Sequence, residues 1–271
     1  MAVPPEPFWV LPMLLAALCG LACPLLGTVL VLQRRVQATN LMAYAVLPGV
    51  VISQALELPP LLGGVLSALG AVLLAETLSA ARPEGSGQGE AVLNTVLASS
   101  IGLGVLLVQA LELPVDLDSL LFGDLLVAGP ADLLRLALAL VLVVILLCCR
   151  FTELEWLALD PEGAEARESS LPLLRRLLAA LTALVVVTAT AAVGLALVMA
   201  LICAPSLAAL APGATRLQRV LRGAALVGLV VSTGGCGLAL LLNLPPGPLM
   251  ACACLPLLLV QGRQEKGRRA D

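Results

Sequence analysis

Few side chains in this sequence could bind an ion or do chemistry, and those few lie inside apolar runs. Asn40, Met42 and Tyr44 open the second apolar run, and Thr95 and Ser99 lie in the fourth. Asn40 and Tyr44 are four residues apart, as are Thr95 and Ser99, so each pair shares one helix face. Polar side chains inside a membrane usually face a partner helix or a cavity. The two faces therefore predict either a polar path or hydrogen bonds between packed helices.

The residues of common catalytic sites are missing. The sequence has no histidine, which excludes His-based catalysis and His metal ligands. The eight cysteines lie within or at the ends of apolar runs, where a free cysteine behaves as a small hydrophobic residue. Their spacing is not that of a zinc site, and a soft-metal role is the weaker alternative. We predict no catalytic residue and no cofactor bound by this chain. The cysteines are Cys19, Cys23, Cys148, Cys149, Cys203, Cys236, Cys252 and Cys254.

The composition indicates which solvent surrounds these residues. Of 271 residues, 60% are hydrophobic and only 12% are charged, and the mean hydropathy is +1.06. Soluble domains carry about 25% charged residues, so this chain has too few to cover a surface in water. The net charge of −3 and an aromatic content of 2% exclude a basic or stacking surface for nucleic acid. We therefore expect an all-α, polytopic membrane protein.

The apolar runs give the number of membrane spans, because one crossing needs about 20 apolar residues. The sixth run, 173–211, is too long for one crossing, and we place a break near Thr190–Gly194. This gives about nine transmembrane helices, with eight as the alternative because the last run is short. A signal peptide has basic residues before its apolar segment, and none precede the first run. We therefore expect the first run to be a retained helix. The runs are 8–32, 41–57, 60–81, 91–111, 131–149, 173–211, 220–242 and 246–260.

The basic residues indicate the orientation. With nine spans, all 15 Lys and Arg residues except Arg135 fall on one side of the membrane. Cytoplasmic loops carry such an excess, so we expect the N-terminus outside and the C-terminus in the cytoplasm. The longest cytoplasmic segment is then 150–176, in which an Asp before a Pro is a helix-start signal. The residues on that side are Arg34, Arg35, Arg82, Arg150, Arg167, Arg175, Arg176, Arg216, Arg219, Arg222, Arg263, Lys266, Arg268 and Arg269.

Several short motifs follow one another along the chain. Residues 45–49 read Ala-Val-Leu-Pro-Gly, 121–124 read Leu-Phe-Gly-Asp, 160–162 read Asp-Pro-Glu, 192–194 read Ala-Val-Gly and 244–248 read Leu-Pro-Pro-Gly-Pro. In order and spacing, these motifs resemble those of the membrane permease subunit of ATP-binding-cassette (ABC) importers for manganese, zinc or iron. The resemblance extends from about residue 20 to residue 255, and it implies one permease-like transmembrane domain over residues 1–271.

This resemblance implies a role in transport rather than catalysis. Two copies would form a homodimer around a central path and move an ion by alternating access across a plasma or inner membrane. An extracytoplasmic metal-binding protein would deliver the ion, and a separate cytoplasmic ABC ATPase would use the ATP. That ATPase would dock on a helix at about 158–168, within the loop at about 150–176. The residues implied in coupling are Asp160, Pro161, Glu162 and Ala164.

The sequence departs from the family pattern at the ion path itself. The family's second helix reads GDALSHAVLPG, and here Asn40 stands for the Asp and Tyr44 for the His. Oxygen ligands suit hard cations, whereas zinc prefers His, Cys and carboxylate. We therefore expect manganese rather than zinc or iron. The alternatives are a permease with another cargo, a divergent subunit that does not transport, or a secondary carrier or membrane scaffold.

Overall fold

The structure is a computed structural model, and it describes residues 9–80, 88–112, 123, 125, 128–159, 171–210 and 216–258. Over this part the chain is helical and contains no strand, which confirms the predicted all-α class. The helices are α1 (Val10–Leu32), α2 (Val36–Ala55), α3 (Pro60–Ala80), α4 (Gln88–Ala110), α5 (Pro130–Cys149), α6 (Phe151–Leu159), α7 (Leu171–Val193), α8 (Leu195–Ala209), α9 (Leu217–Leu242) and α10 (Pro246–Ala253).

Seven of the described helices are long and apolar enough to cross a membrane, namely α1 to α5, α7 and α9. The apolar helix α8 and the apolar helix at Pro246–Leu258, which includes α10, are shorter than a full span. Every apolar run of the sequence therefore forms at least one helix. A total of nine or eight crossings stays a prediction, because length and composition alone do not place the two short helices across the membrane.

The long run at 173–211 divides at one glycine, inside the interval that the sequence predicts. Helix α7 ends at Val193 and α8 begins at Leu195, and Gly194 between them has a φ of +83°. Gly123, with a φ of +69°, lies directly against this break. A Cβ on Gly123 would be 2.2 Å from the carbonyl carbon of Val193, so both positions need a residue without a side chain.

Helices α1, α2 and α9 are each followed by a residue other than glycine in the left-handed conformation, and so is α4 at Glu112. Arg34 ends α1 with a φ of +56°, and the N–H groups of Arg34 and Arg35 donate to carbonyls three and five residues earlier, at 3.0 and 2.9 Å. This is the Schellman arrangement, which satisfies carbonyls that have no partner inside the helix. Glu57 after α2 and Asn243 after α9 take the same left-handed conformation. The turn at Arg34 sets the direction in which α2 leaves α1.

Two helix pairs approach so closely that only small residues fit between them. α1 packs against α9 where Gly20 meets Gly228, and α2 packs against α3 where Gly49 meets Gly63. A Cβ on Gly20 would be 2.6 Å from the carbonyl oxygen of Gly228, and a Cβ on Gly49 would be 2.2 Å from that of Gly63. Membrane helices gain stability from such close packing because burial from lipid supplies no hydrophobic drive.

Serine hydroxyls join the same helices through backbone carbonyls. Ser67 on α3 donates a hydrogen bond to the carbonyl of Ala45 on α2 at 2.6 Å, and Ser206 on α8 donates to that of Pro24 on α1 at 3.2 Å. Ser232 on α9 likewise donates to a carbonyl of α1. Each bond satisfies a polar group that would otherwise lie unpaired in an apolar interior.

The proline of α2 does not interrupt the helix. The sequence suggests that Pro48 and Gly49 kink or break this helix and free backbone groups to line a cavity. Instead, α2 runs without a break from Val36 to Ala55, with Pro48 inside it. Pro48 and Gly49 are both buried. Proline has no backbone N–H to donate, and the close contact between Gly49 and α3 holds the helix at this position. A break at Pro48 is therefore wrong, whereas a kink there stays a prediction.

The outer faces of three helices are covered with large apolar side chains, as a lipid-facing surface requires. The exposed positions of α3, α5 and α9 carry leucine and valine, whereas a soluble monomer rarely exposes an apolar patch of this extent. These helices therefore form the lipid-facing side. The exposed residues include Leu62, Leu66, Leu73, Leu134, Leu138, Val141, Leu226, Val230, Leu238 and Leu241.

The close approach of α2 and α3 predicts different effects of one substitution at two glycines. Gly49→Ala forces a methyl group against the α3 backbone, and we expect it to lower the free energy of unfolding by about 1–3 kcal/mol. Gly70→Ala is the matched control on α3, because nothing lies within 4 Å of its Cβ position. The control should be neutral or stabilising by up to about 1 kcal/mol. Unfolding in mixed detergent measures both, and equal losses would contradict the contact.

Candidate functional site

Helix α2 presents the predicted path residues to different neighbours. Met42 is 3% exposed and packs in an apolar cluster formed by α2, α3, α4 and α7. Tyr44 is half-buried and packs against the larger core that α1 contributes to. Asn40 is also half-buried, and it shares a face with Tyr44 because α2 is continuous between them. The structure thus keeps Asn40 and Tyr44 together and directs Met42 away from them.

The other two predicted path residues lie on the outside of α4. Thr95 and Ser99 are both exposed, and their hydroxyls donate at 2.8 Å to the carbonyls of Ala91 and Thr95. The buried face of α4 contains Val92 and Val96 instead, in the cluster around Met42. Thr95 and Ser99 therefore do not join α2 within one subunit, although α2 and α4 are neighbours.

The exposed face of α4 differs from the lipid-facing surfaces. Through its first half this face carries small and polar residues, where α3, α5 and α9 expose leucine and valine. Small residues allow a second helix to approach closely, and hydroxyl and amide groups cost less against protein or water than against lipid. This face is therefore suited to another protein surface or a polar path. Its exposed residues are Ala91, Asn94, Thr95, Ala98 and Ser99.

A small cavity of about 20 Å³ lies where the ends of α1, α2, α3 and α7 meet. Its polar lining comes from Gln33, Arg35, Thr39, Arg175 and Thr182, and Met42 borders it with other apolar residues. The hydroxyls of Thr39 and Thr182 donate to carbonyls of their own helices, at 3.2 and 2.7 Å. Among the described lining residues, Arg35 and Arg175 are the charged side chains.

An ion pair holds one wall of this cavity. Arg35, just after the α1 turn, donates to the carboxylate of Glu76 near the end of α3 at 3.2 Å. Both side chains are substantially exposed, at 40% and 51%, which agrees with a position at the membrane surface. An exposed pair of this kind contributes at most about 1 kcal/mol to stability. Its main effect is to fix the position of the guanidinium beside the cavity.

The described residues contain no group of three or more His, Cys, Asp or Glu side chains that could hold a metal ion. All eight cysteines lie in the described part of the chain, and all are free. Cys19, Cys23, Cys236 and Cys254 are buried in the apolar core, as expected for small hydrophobic residues. A metal site in this part of one subunit therefore cannot take three His, Cys, Asp or Glu ligands.

The predicted coupling residues Asp160, Pro161, Glu162 and Ala164 lie outside the described residues. The helix described in this loop is α6, which ends at Leu159 and so precedes most of the predicted docking helix at about 158–168. α6 begins at Phe151, two residues after the last residue of α5, and buries Leu154 and Leu157 in the core. It therefore anchors the start of the predicted cytoplasmic loop to the membrane domain.

Sequence reasoning did not identify Gln33, Thr182 or the cavity they line. Gln33 lies just after an apolar run, where a polar residue is expected at the boundary between membrane and water. Arg35 and Arg175 are 140 positions apart in the sequence, and no local pattern connects them. A paired-Arg turn at the end of α1 was the one available signal.

These features define a polytopic helical membrane protein with an exposed polar face on α4. A model of the ABC 3 transport family matches residues 7–262, and the chain belongs to this family. The match covers nearly all of the chain, and it confirms the family resemblance drawn from the sequence motifs. The chain is therefore a membrane component of an ABC transporter.

The chain is also similar to membrane proteins of other organisms. The chain is 29% identical over 233 residues to an uncharacterized membrane protein of Cyanophora paradoxa from the ycf23-apcF intergenic region, covering 85% of this chain and 77% of the relative. It is 26% identical over 190 residues to the manganese transport system membrane protein MntB of Synechocystis, covering 70% of this chain and 61% of that protein.

The fold is also found among solved structures. A chain of PsaBC from Streptococcus pneumoniae, solved in complex with Fab, superimposes with a TM-score of 0.83 at 22% sequence identity. The alignment covers 94% of this chain and 91% of the PsaBC chain. At this identity the likeness establishes the fold alone.

The opposite environments of two adjacent serines on α4 give a test of this arrangement. Ser99→Leu places a large side chain on the exposed face, and we expect the free energy of unfolding of the monomeric, detergent-solubilised chain to change by less than about 0.5 kcal/mol. Ser100→Leu, the matched variant one position on, inserts the same side chain into a buried site. It should lower that free energy by about 1–3 kcal/mol. A larger loss at Ser99 would contradict the orientation of α4.

Proposed function

We propose that this chain is the permease subunit of an ATP-driven importer that moves a divalent metal ion, preferentially manganese, by alternating access. The observation that carries this proposal is the ABC 3 transport family match over residues 7–262. The manganese transport name of the Synechocystis relative supports the choice of cargo. Neither catalysis nor ATP binding is assigned to this chain, since a separate ATPase subunit would hydrolyse the ATP.

The ligand chemistry of α2 is the second support for manganese. Asn40 and Tyr44 provide an amide oxygen and a phenol oxygen on one half-buried face. Such oxygens bind hard ions such as Mn²⁺ better than they bind zinc, which prefers His, Cys and carboxylate. The absence of histidine from the whole sequence acts in the same direction. We assign the path to Asn40 and Tyr44, with Thr95 and Ser99 as polar lining and Met42 behind them.

The exposed position of Thr95 and Ser99 supports a homodimer. Both residues lie on the exposed face of α4, so within one subunit they line nothing. Two copies that meet along the small, polar face of α4 would enclose these hydroxyls and place the Asn40–Tyr44 faces close to a common axis. The path would then lie between the two copies, and its lining would be complete only in the dimer.

The partners follow from the proposed function. A cytoplasmic ABC ATPase would bind the loop at about 150–176 on both subunits, and an extracytoplasmic metal-binding protein would deliver the ion from the other side. This places the chain in a plasma or inner membrane with the N-terminus outside and the C-terminus in the cytoplasm. The positive-inside distribution of Lys and Arg supports that orientation.

A second function has one specific observation in its favour. Both charged or titratable groups of the family's second-helix motif are replaced here, by Asn40 and Tyr44. Loss of both would suit a permease for a different cargo, or a divergent subunit that pairs with a transporting one. Replacing these two residues by the Asp and His of the family motif tests whether this face determines the cargo.

We expect Asn40→Asp combined with Tyr44→His to shift the ion preference from manganese toward zinc, because a carboxylate and an imidazole are good zinc ligands. The measurement is uptake of each ion by cells that lack the chromosomal copy and express either form. Asn243→Asp is the control, since it makes the same chemical change at an exposed turn after α9. Identical uptake of every ion by parent and double variant would refute a role for this face.

The coupling segment needs a separate test. Pro161→Gly combined with Glu162→Lys should leave membrane insertion intact but uncouple ATP hydrolysis from uptake, because it alters the proposed ATPase-docking helix. Glu90→Lys is the control, an exposed charge reversal at the start of α4. Uptake and ATP hydrolysis are measured together in proteoliposomes that contain the ATPase. Unchanged coupling in the double variant would place the docking surface elsewhere.

A further inference from the structure

We propose that two thiols on neighbouring helices, Cys203 on α8 and Cys254 directly after α10, bind one soft metal ion of the Cu⁺ type. This site is separate from the proposed metal path, whose ligands are oxygen atoms, and it does not depend on the cargo. α8 and α10 are in contact, and both cysteines belong to the same apolar cluster. An ion bound between the thiols would join the two short apolar helices described above.

The packing of the two helices brings these thiols near each other. Cys254 is 3% exposed, and Cys203 is half-buried and packs against the same cluster. The two are near enough for the charge of a Cys203 thiolate to act on Cys254. Both cysteines are free, so neither sulfur is taken by a disulfide. Because Cys203 is partly exposed, an ion can reach the buried thiol from its side.

Each of the two cysteines follows a methionine by four residues. Residues 199–203 read Met-Ala-Leu-Ile-Cys, and residues 250–254 read Met-Ala-Cys-Ala-Cys. Side chains four residues apart share one face of a helix. Met199 also packs against the cluster that contains Cys254. Its thioether therefore lies one turn from the Cys203 thiol, and it is the third sulfur available to an ion at this site.

Met250 has a different role, because it packs against α9. A Cβ on Gly235 of α9 would be 2.8 Å from the Cγ atom of Met250, so the methionine occupies the space that a side chain would take there. Met250 is 0% exposed. This contact fixes α10 one turn before Cys254, whose φ of −72° and ψ of −25° continue the helical conformation. The thiol is therefore held on a rigid element, as a metal ligand should be.

The number and type of these ligands favour Cu⁺ over other metal ions. Thiolate and thioether sulfurs are soft ligands that select Cu⁺, whereas Mn²⁺ prefers oxygen ligands. A structural zinc site needs four ligands from Cys, His or carboxylate, and the described residues contain no group of even three such side chains. The site therefore does not suit the proposed cargo. Because the metal replaces the thiol protons, its affinity should rise with pH.

The test uses the full chain, purified in detergent under reducing, oxygen-free conditions. The exposed cysteines are first replaced by serine so that they do not bind the probe, namely Cys148, Cys149 and Cys252. Cu⁺ is titrated in competition with a coloured Cu⁺ chelator, and thermal unfolding is followed with and without the ion. Cys203→Ala and Cys254→Ala each remove one proposed ligand. The matched control is Cys19→Ala, which removes a buried thiol on α1.

We expect the triple-serine parent to bind one equivalent of Cu⁺ that either Cys203→Ala or Cys254→Ala removes and Cys19→Ala retains. The bound ion should raise the unfolding temperature, because it binds the folded chain in preference to the unfolded one. Met199→Leu should keep the equivalent but hold it more weakly against the chelator. If one alanine variant does not fold, the other carries the comparison. Absence of a bound equivalent in the parent, or its equal loss in Cys19→Ala, overturns the proposal whether or not the chain transports manganese.

Discussion

The structure depends on one constraint, which is that polar groups inside a membrane must be satisfied by the protein itself. The chain meets it by helices whose backbones approach closely at glycine, so that serine hydroxyls on one helix reach carbonyls on the next. Gly49 against Gly63, with Ser67 bonded to the carbonyl of Ala45, is the clearest instance. Where a polar face remains exposed, as on α4, it therefore indicates a partner or a path.

The fold could be predicted from the sequence to the extent that lipid solvation determines it. Hydropathy gives each long apolar helix but not α6, and the excess length of one apolar run predicts the interval that contains the break at Gly194, where only a glycine adopts the required backbone without strain. The fate of Pro48 could not be predicted in this way. Whether a proline ends a membrane helix depends on what packs beside it, and here the contact with α3 through Gly49 keeps α2 continuous.

The candidate site was accessible to sequence reasoning only where its residues lie close together in the chain. The four-residue spacing predicts that Asn40 and Tyr44 share a face, but it does not reveal that Met42 points into a different cluster. The cavity of Gln33, Arg35 and Arg175 depends on contacts between α1 and α7, which no local pattern encodes. The same limit applies to α4, whose hydroxyls are predicted but whose exposure requires the packed helices.

The central claim is that this chain carries a metal ion through a path lined by oxygen ligands. Its most direct test is the elemental content of cells lacking the gene and of complemented cells, grown under limiting manganese, zinc and iron in turn. The account predicts that cellular manganese falls in the deletion and returns on complementation, with zinc and iron unchanged. Unchanged content of all three metals, with the protein present in the membrane, would contradict it.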